Sequence, residues 1–233
     1  MKFIDDYYKQ IIKNLNSWMY QRDVIQVYKD CLRAMTLDLA TKTDSYKHKE
    51  RCEELENLYK HYDKNRGKFN ELISLVTEML SKSIDNFGDH LGHIYMQIIP
   101  SGKAKAFGQF FTPYSVSYML AKMNGIPQVD GGKVISINDP ASGAGGMLVA
   151  CCEVYANQDI NYAERVLFFG NDIDRTCVDM TYLQLSYLGA SAIVDHQNTL
   201  TQEKWDTYRT PAFLLIPSVQ KKYKQMMKDE NEM

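Results

Sequence analysis

From Phe3 to about Leu39 the apolar positions Ile4, Tyr8, Ile11, Ile12, Leu15, Trp18 and Met19 recur at helical spacing. No Gly or Pro interrupts that pattern before Gly67. The polar stretch 41–50, with Asp44-Ser45 inside it, predicts a turn and a new helix start. Helical spacing then resumes through Leu55, Leu58, Tyr59 and Tyr62, and again through Phe69, Leu72, Ile73, Val76, Met79 and Leu80. Residues 1–97 are therefore expected to form a helical domain, a bundle or hairpin. Its aromatic and methionine stripes read as packed core, with a ligand box as the other reading.

Residues 98–233 carry a different pattern and are expected to form a second domain. It opens on a Gly- and Lys-containing loop, Ser101 to Gly108. Thr112 is predicted to cap a helix that has Pro113 at its first position, with Val116, Met119, Leu120 and Met123 as the apolar face. Alternating segments follow. The pattern predicts a strand over 133–138, a glycine turn, a helix over 147–155, a strand over 165–170, a helix over 176–188 and a strand over 192–196. Strands and helices alternating at these lengths point to an α/β fold with a parallel, doubly wound sheet. The charged tail 221–233 reads as an exposed helix or frayed end.

Composition narrows the class. With 45% hydrophobic and 24% charged residues the chain can bury a real core, and no apolar run approaches bilayer-spanning length. A net charge of −2 gives no overall electrostatic footprint for nucleic acid. Cys31, Cys52, Cys151, Cys152 and Cys177 follow no metal-ligand spacing and suit a reducing, cytoplasmic setting. The pair His90 and His93 lacks acidic or thiol partners at ligand spacing, so no metal site is expected. Cys151-Cys152 reads as helix packing rather than a reactive pair.

The candidate chemistry sits at strand ends. Asp139 closes the first predicted strand, and Pro140, Ser142, Gly143, Gly145 and Gly146 follow at once. In an open α/β sheet, ligands bind beyond the carboxyl ends of the strands. Residues without Cβ at Gly143 and Gly145 let a ligand lie against the backbone. The loop is neither a Walker A loop nor the dinucleotide fingerprint. Asp172, at the end of the second strand, is placed to accept both hydroxyls of a ribose. Its neighbour Asp174 is the alternative, and either carboxylate would also serve as a helix cap.

Three segments, Gly-Gln-Phe-Phe-Thr-Pro (108–113), Asp-Pro-Ala-Ser-Gly-Ala-Gly-Gly (139–146) and Gly-Asn-Asp-Ile-Asp (170–174), together resemble the DNA adenine-N6 methyltransferase family. The nearest branch is the modification subunit of type I restriction-modification systems, and Leu91-Gly92-His93-Ile94-Tyr95 stands where that branch has Leu-Gly-x-Ile-Tyr. The resemblance covers roughly residues 85–200. It implies a Rossmann-like methyltransferase sheet that binds S-adenosylmethionine. Thr112 and Pro113 would flank the methionine end of that cofactor, and Asp139, Gly143 and Gly145 would line it. Asp172 would hold the ribose. Asn198 stands where the family has an Asp that accepts from the adenine amino group, and an amide oxygen keeps that capacity.

The chain departs from the family at its catalytic step. The family's Asn/Asp-Pro-Pro-Phe/Tyr, which accepts the amino hydrogens of a flipped adenine and stacks on it, does not occur. Thr210-Pro211-Ala212-Phe213 stands at about its place, making Thr210, Pro211 and Phe213 the candidates. An incomplete sheet of about four parallel strands is expected, with the fourth either before Thr210 or at 213–216. Three readings follow. The chain binds S-adenosylmethionine with impaired or lost methyl transfer, as an accessory or regulatory component. Alternatively it is an active methyltransferase completed by a specificity or methyltransferase subunit or by a second copy, meeting DNA through that complex. Or it is an interaction module with a vestigial pocket.

Overall fold

The computed structural model describes residues 2–99, 111–123 and 133–231. The loop 101–108 and the Gly-Gln-Phe part of the first motif lie outside the described residues. Packing divides the chain into two compact units, Met1–Phe111 and Thr112–Met233.

The first unit is helical. Its elements are α1 (Lys2–Asn16), α2 (Val24–Thr43), α3 (His48–Lys60), a 3-10 turn (Asp63–Asn65), α4 (Arg66–Leu80) and α5 (His90–Ile98). Asp23 and Asp89 cap α2 and α5 by accepting from Ile25 N and Gly92 N, satisfying donors that have no intrahelical partner. The expected apolar stripes form the core. Ile11, Leu15, Trp18, Leu32, Phe69, Leu72 and Val76 are all buried, and Tyr62 stacks on Phe69 with ring centroids 3.8 Å apart. Met19 is the exception, exposed beyond the end of α1. His90 bridges two elements: its Nδ1 meets Tyr8 Oη at 2.7 Å and its Nε2 meets Asn86 O at 2.7 Å.

The second unit is α/β. In order it contains α6 (Tyr114–Met123), β1 (Ile135–Asp139), α7 (Gly146–Ala156), α8 (Tyr162–Arg165), β2 (Val166–Asp172), α9 (Arg175–Tyr187), β3 (Ala192–Asn198), β4 (Glu203–Arg209), α10 (Pro211–Leu215) and α11 (Pro217–Asn231). The sheet order is β1-β2-β3-β4, with β1, β2 and β3 parallel. Alternation along β2 assigns its two faces. Leu167 and Phe169 pack with Ile193, Phe213 and Val219, under α10 and α11. Gly170, on the other face, lies against Leu148 of α7 and Thr181 of α9.

Two sequence expectations change. The fourth strand is antiparallel to β3, so among the described residues the sheet has three parallel strands rather than about four. The physical reason is the short connection 199–202, since a parallel neighbour requires a crossover of a dozen or more residues. Residues 213–216 do not form a strand; Phe213, Leu214 and Leu215 belong to α10. The face of α6 is also inverted. Val116, Met119, Leu120 and Met123 are between 36% and 73% exposed, while Ser117 and Ala121 are buried. Ala121 packs on Ala150 and Val154 of α7, flanked by Tyr114 and Tyr118. Small side chains at that contact let the two helices approach closely, which decides the facing side over hydrophobicity.

Candidate functional site

The carboxyl ends of β1, β2 and β3 lie side by side because the three strands are parallel and in register: Asp139 pairs with Gly170, and Asp172 with His196. The turn after β1 is held to β2 by Ser142 N–H donating to Asn171 O at 2.9 Å. It closes on itself through Gly145 N–H to Ser142 O at 2.8 Å. Gly143 (φ 54°) and Gly145 (φ 92°) both occupy left-handed conformations that favour glycine. Gly145 has a second reason to be glycine. A Cβ there would lie 3.0 Å from Thr181 Oγ1 and 3.1 Å from its Cα, so the absent side chain admits helix α9 rather than a ligand.

Asp172 is the hub of the site. One carboxylate oxygen accepts from Gly143 N–H at 2.9 Å, and the other from Asp174 N–H at 2.9 Å. Ile173 N–H also approaches this carboxylate, which offers about four acceptor sites in all. Asp174 takes the capping role, accepting from Thr176 N–H at 2.7 Å at the start of α9. Asp174 thus caps α9, while Asp172 fastens the glycine loop.

Asp139 accepts from Ala141 N–H at 3.2 Å. Burial pushes the Asp139 carboxyl above its ordinary pKa, and the negative charge of Asp172 adds to the rise. Burial also raises Asp172, against the lowering by the backbone N–H groups of Asp174 and Gly143. Asn198 ends β3, and its side-chain oxygen accepts from Leu200 N–H and Thr201 N–H at 3.0 and 3.2 Å. The next residue joins this turn to the glycine loop, because Thr199 Oγ1 donates to Pro140 O at 2.6 Å.

Asp139, Pro140, Ser142, Gly143, Gly145, Asp172 and Asn198 therefore converge at one end of the sheet. Thr112 and Pro113 are exposed before α6, where Pro113 O accepts from Val116 N–H and Ser117 N–H. Helix α6 is tied to α7 by Tyr114 Oη donating to Glu153 Oε2 at 2.5 Å. The candidates Thr210, Pro211 and Phe213 are not part of this convergence. Antiparallel β4 runs back along β3, pairing Arg209 with Ile193, and so delivers Thr210 to the amino end of the sheet. Thr210 is 0% exposed; its hydroxyl donates to Ala190 O at 2.7 Å and accepts from Ala192 N–H at 2.8 Å. Pro211 opens α10, and Phe213 is buried in the cluster with Leu167 and Ile193.

Two residues escaped the sequence reading. Thr181 and Gln184, one helical turn apart on α9, are buried beneath the glycine loop and bond its carbonyls. Their signal was polar residues interleaved with Val178, Met180, Leu183 and Leu185 on a helix buried nearly all round. Cys151, by contrast, keeps its proton, as burial pushes its thiol up to about 11.

Known proteins match the chain as follows. It is 22% identical over 221 residues to the methylase subunit of the type I restriction enzyme MpnII of Mycoplasma pneumoniae, a match spanning 86% of this chain and 37% of that protein. Among solved structures it is similar to the type I restriction-modification methyltransferase subunit of Streptococcus thermophilus, at a TM-score of 0.42 and 12% identity over 87% of this chain and 60% of that one. A putative class I S-adenosylmethionine-dependent methyltransferase of Listeria monocytogenes aligns at a TM-score of 0.37 and 16% identity, covering 75% of this chain and 54% of that one. Residues 84–232 match the N-6 DNA Methylase family, and with more than half of its length inside that match the chain belongs to the family.

Proposed function

We propose that the unit 112–233 binds S-adenosylmethionine at the carboxyl ends of β1, β2 and β3, and that this chain alone has impaired or lost transfer of the methyl group to adenine. The single observation that carries the cofactor reading is the hydrogen bond from Gly143 N–H to Asp172, which joins a glycine turn and a strand-end carboxylate in one cradle.

The residues present fit the group. Asp172 has acceptor capacity left for a ribose hydroxyl. The Asn198 amide oxygen, with both lone pairs taken by Leu200 and Thr201 N–H, would exchange one of those bonds to accept from the adenine amino group. Asp139 supplies negative charge beside the glycine turn for a cationic methionine portion. Thr112 and Pro113 are assigned to its methionine end by the family pattern. Bound there, the cofactor supplies an electrophilic methyl group on a sulfonium sulfur. What the chain's own residues do is hold the sugar and orient the donor.

Impaired transfer is supported by the burial of Thr210 and Phe213 at the opposite end of the sheet from Asp172. An accessory or regulatory role follows from that separation of binding and acceptor groups. The second reading, a methyltransferase completed by another subunit or a second copy, is favoured by one observation: among the described residues β1 pairs with β2 alone, leaving its other edge open. The chain spans 37% of the length of its curated relative, and in this reading a specificity or methyltransferase subunit supplies further parts and the contact with DNA.

Isothermal calorimetry with S-adenosylmethionine tests the cofactor assignment, and absence of heat at millimolar cofactor would sink it. Transfer of labelled methyl groups to DNA then separates the two readings. Incorporation by the chain alone contradicts impaired transfer, and incorporation only with a partner subunit supports completion.

A further inference from the structure

Three consecutive peptide planes of the glycine loop are each fastened. The Ser142–Gly143 plane donates its N–H to Asp172 at 2.9 Å and accepts from Gly145 N–H at 2.8 Å. The Gly143–Ala144 plane has its carbonyl held by Thr181 Oγ1 at 3.0 Å. The carbonyl of the Ala144–Gly145 plane accepts from Gln184 Nε2 at 2.6 Å. Thr181 Oγ1 also lies 3.2 Å from Ser142 Oγ. Gly143 and Gly145, at φ 54° and 92°, give this backbone more accessible conformations than residues with a Cβ would. Fixing it requires partners outside the loop.

We propose that Thr181 and Gln184 are positioning residues for the methionine half of the cofactor, an assignment that rests on the S-adenosylmethionine reading above. They are 0% and 2% exposed, so neither reaches a ligand; both act through the loop. By turning the carbonyls of Gly143 and Ala144 inward against α9, they fix the two planes that follow the one pointing Gly143 N–H at Asp172, and so restrict the rotation of that plane. The same two bonds couple the loop to the helix that Asp174 caps, so the ends of β1 and β2 hold a single geometry. Polar side chains at these two buried places are otherwise a cost to the core.

The test compares Thr181→Val, Thr181→Ser and Gln184→Met with the unaltered chain. Val keeps the shape of Thr without its hydroxyl, Ser keeps the hydroxyl, and Met keeps the length of Gln without its donor. Affinity for S-adenosylmethionine and for adenosine, which lacks the methionine moiety, is measured by calorimetry, alongside amide hydrogen exchange over 141–146. Thr181→Val and Gln184→Met are each expected to weaken S-adenosylmethionine binding roughly 5- to 10-fold, the worth of one hydrogen bond, and adenosine binding by less than about twofold. Exchange at Gly143 and Gly145 quickens in both, and Thr181→Ser restores affinity to within about twofold.

Unchanged S-adenosylmethionine affinity in Thr181→Val overturns the assignment while leaving the cofactor reading intact. Equal losses for both ligands, following the drop in melting temperature, mark a merely structural role and overturn it as well. Should Thr181→Val not fold, Gln184→Met carries the same comparison. No binding by the unaltered chain fails the cofactor reading itself and takes the positioning roles with it.

Discussion

At the scale of single residues, the site is organised by what two carboxylates tolerate. Asp139 and Asp172 stand at the ends of neighbouring strands, and burial raises both above their ordinary values. A carboxyl with a raised folded pKa binds its proton more tightly folded than unfolded. Its contribution to stability is therefore fully present below the unfolded value, about 3.9, and is lost as pH rises through the raised folded value. Asp139→Asn, which keeps an acceptor for Ala141 N–H, is expected to raise the melting temperature at about pH 7 and to flatten its fall from about pH 4 upward. Thermal denaturation across that range checks this, and a lower melting temperature in the variant contradicts it. Asp172→Ala acts differently, because it strips the acceptor from Gly143 N–H. Cofactor affinity is expected to fall roughly 10- to 100-fold, matching about 1.5–3 kcal/mol for hydrogen bonds to a charged group. Unchanged affinity by calorimetry removes Asp172 from the site. The strand-end positions of both were legible in the sequence, Asp139 from the apolar run before it and the glycines after it, and Asp172 from the apolar run 166–169 that precedes it. Thr181 and Gln184 were not, since a buried polar residue on a helix shows its purpose only through the carbonyl it meets.

At the scale of elements, packing overruled two sequence patterns. The hydrophobic stripe of α6 predicted its buried face, yet Met119 and Met123 point outward and Ala121 is the packed residue. Met119→Lys and Met123→Lys should each change unfolding free energy by less than about 0.5 kcal/mol. Ala121→Leu, forced against Ala150 and Val154, should cost about 1–3 kcal/mol by overpacking. Chemical denaturation distinguishes these outcomes, and a large loss in either Met variant restores the stripe as a buried face. The direction of β4 was the second surprise. Its short link to β3 was readable in the sequence, but resemblance to a parallel pattern hid it. Thr210→Val is expected to destabilise by about 1–3 kcal/mol, because Ala190 O and Ala192 N–H lose a buried partner. Its cofactor affinity should be unchanged, and a weakened affinity by calorimetry would bring Thr210 back into the site.

At the scale of the whole molecule, an α-helical unit and an α/β unit each keep a core of their own. Within the second, β2 and β3 have a neighbour on each side, whereas β1 has one among the described residues. Its side chains alternate between half-buried and exposed, while those of β2 run buried through Val166, Leu167 and Phe168. Amide hydrogen exchange of the isolated chain should therefore be slowest in β2, with alternate amides of Ile135–Asp139 exchanging much faster. Protection of β1 equal to that of β2 in the isolated chain would mean that its open edge is covered. The strand that bears this edge carries Asp139 at its carboxyl end, so its pairing state bears on whether the sheet works alone.

The sequence by itself determined the helical first unit, the order of strands and helices in the second, and the glycine turn between two strand-end acids. Those features depend on periodicity and on residues with unusual backbone freedom, both of which are local. Only the tertiary structure decided which face of α6 is buried, which way β4 runs, that Asp172 rather than Asp174 holds the loop, and that Thr181 and Gln184 fasten it from beneath. Each of those depends on a partner distant in the chain, as in the approach of α9 to Gly145. Local patterns state what a residue prefers; contacts at long sequence separation select among those preferences.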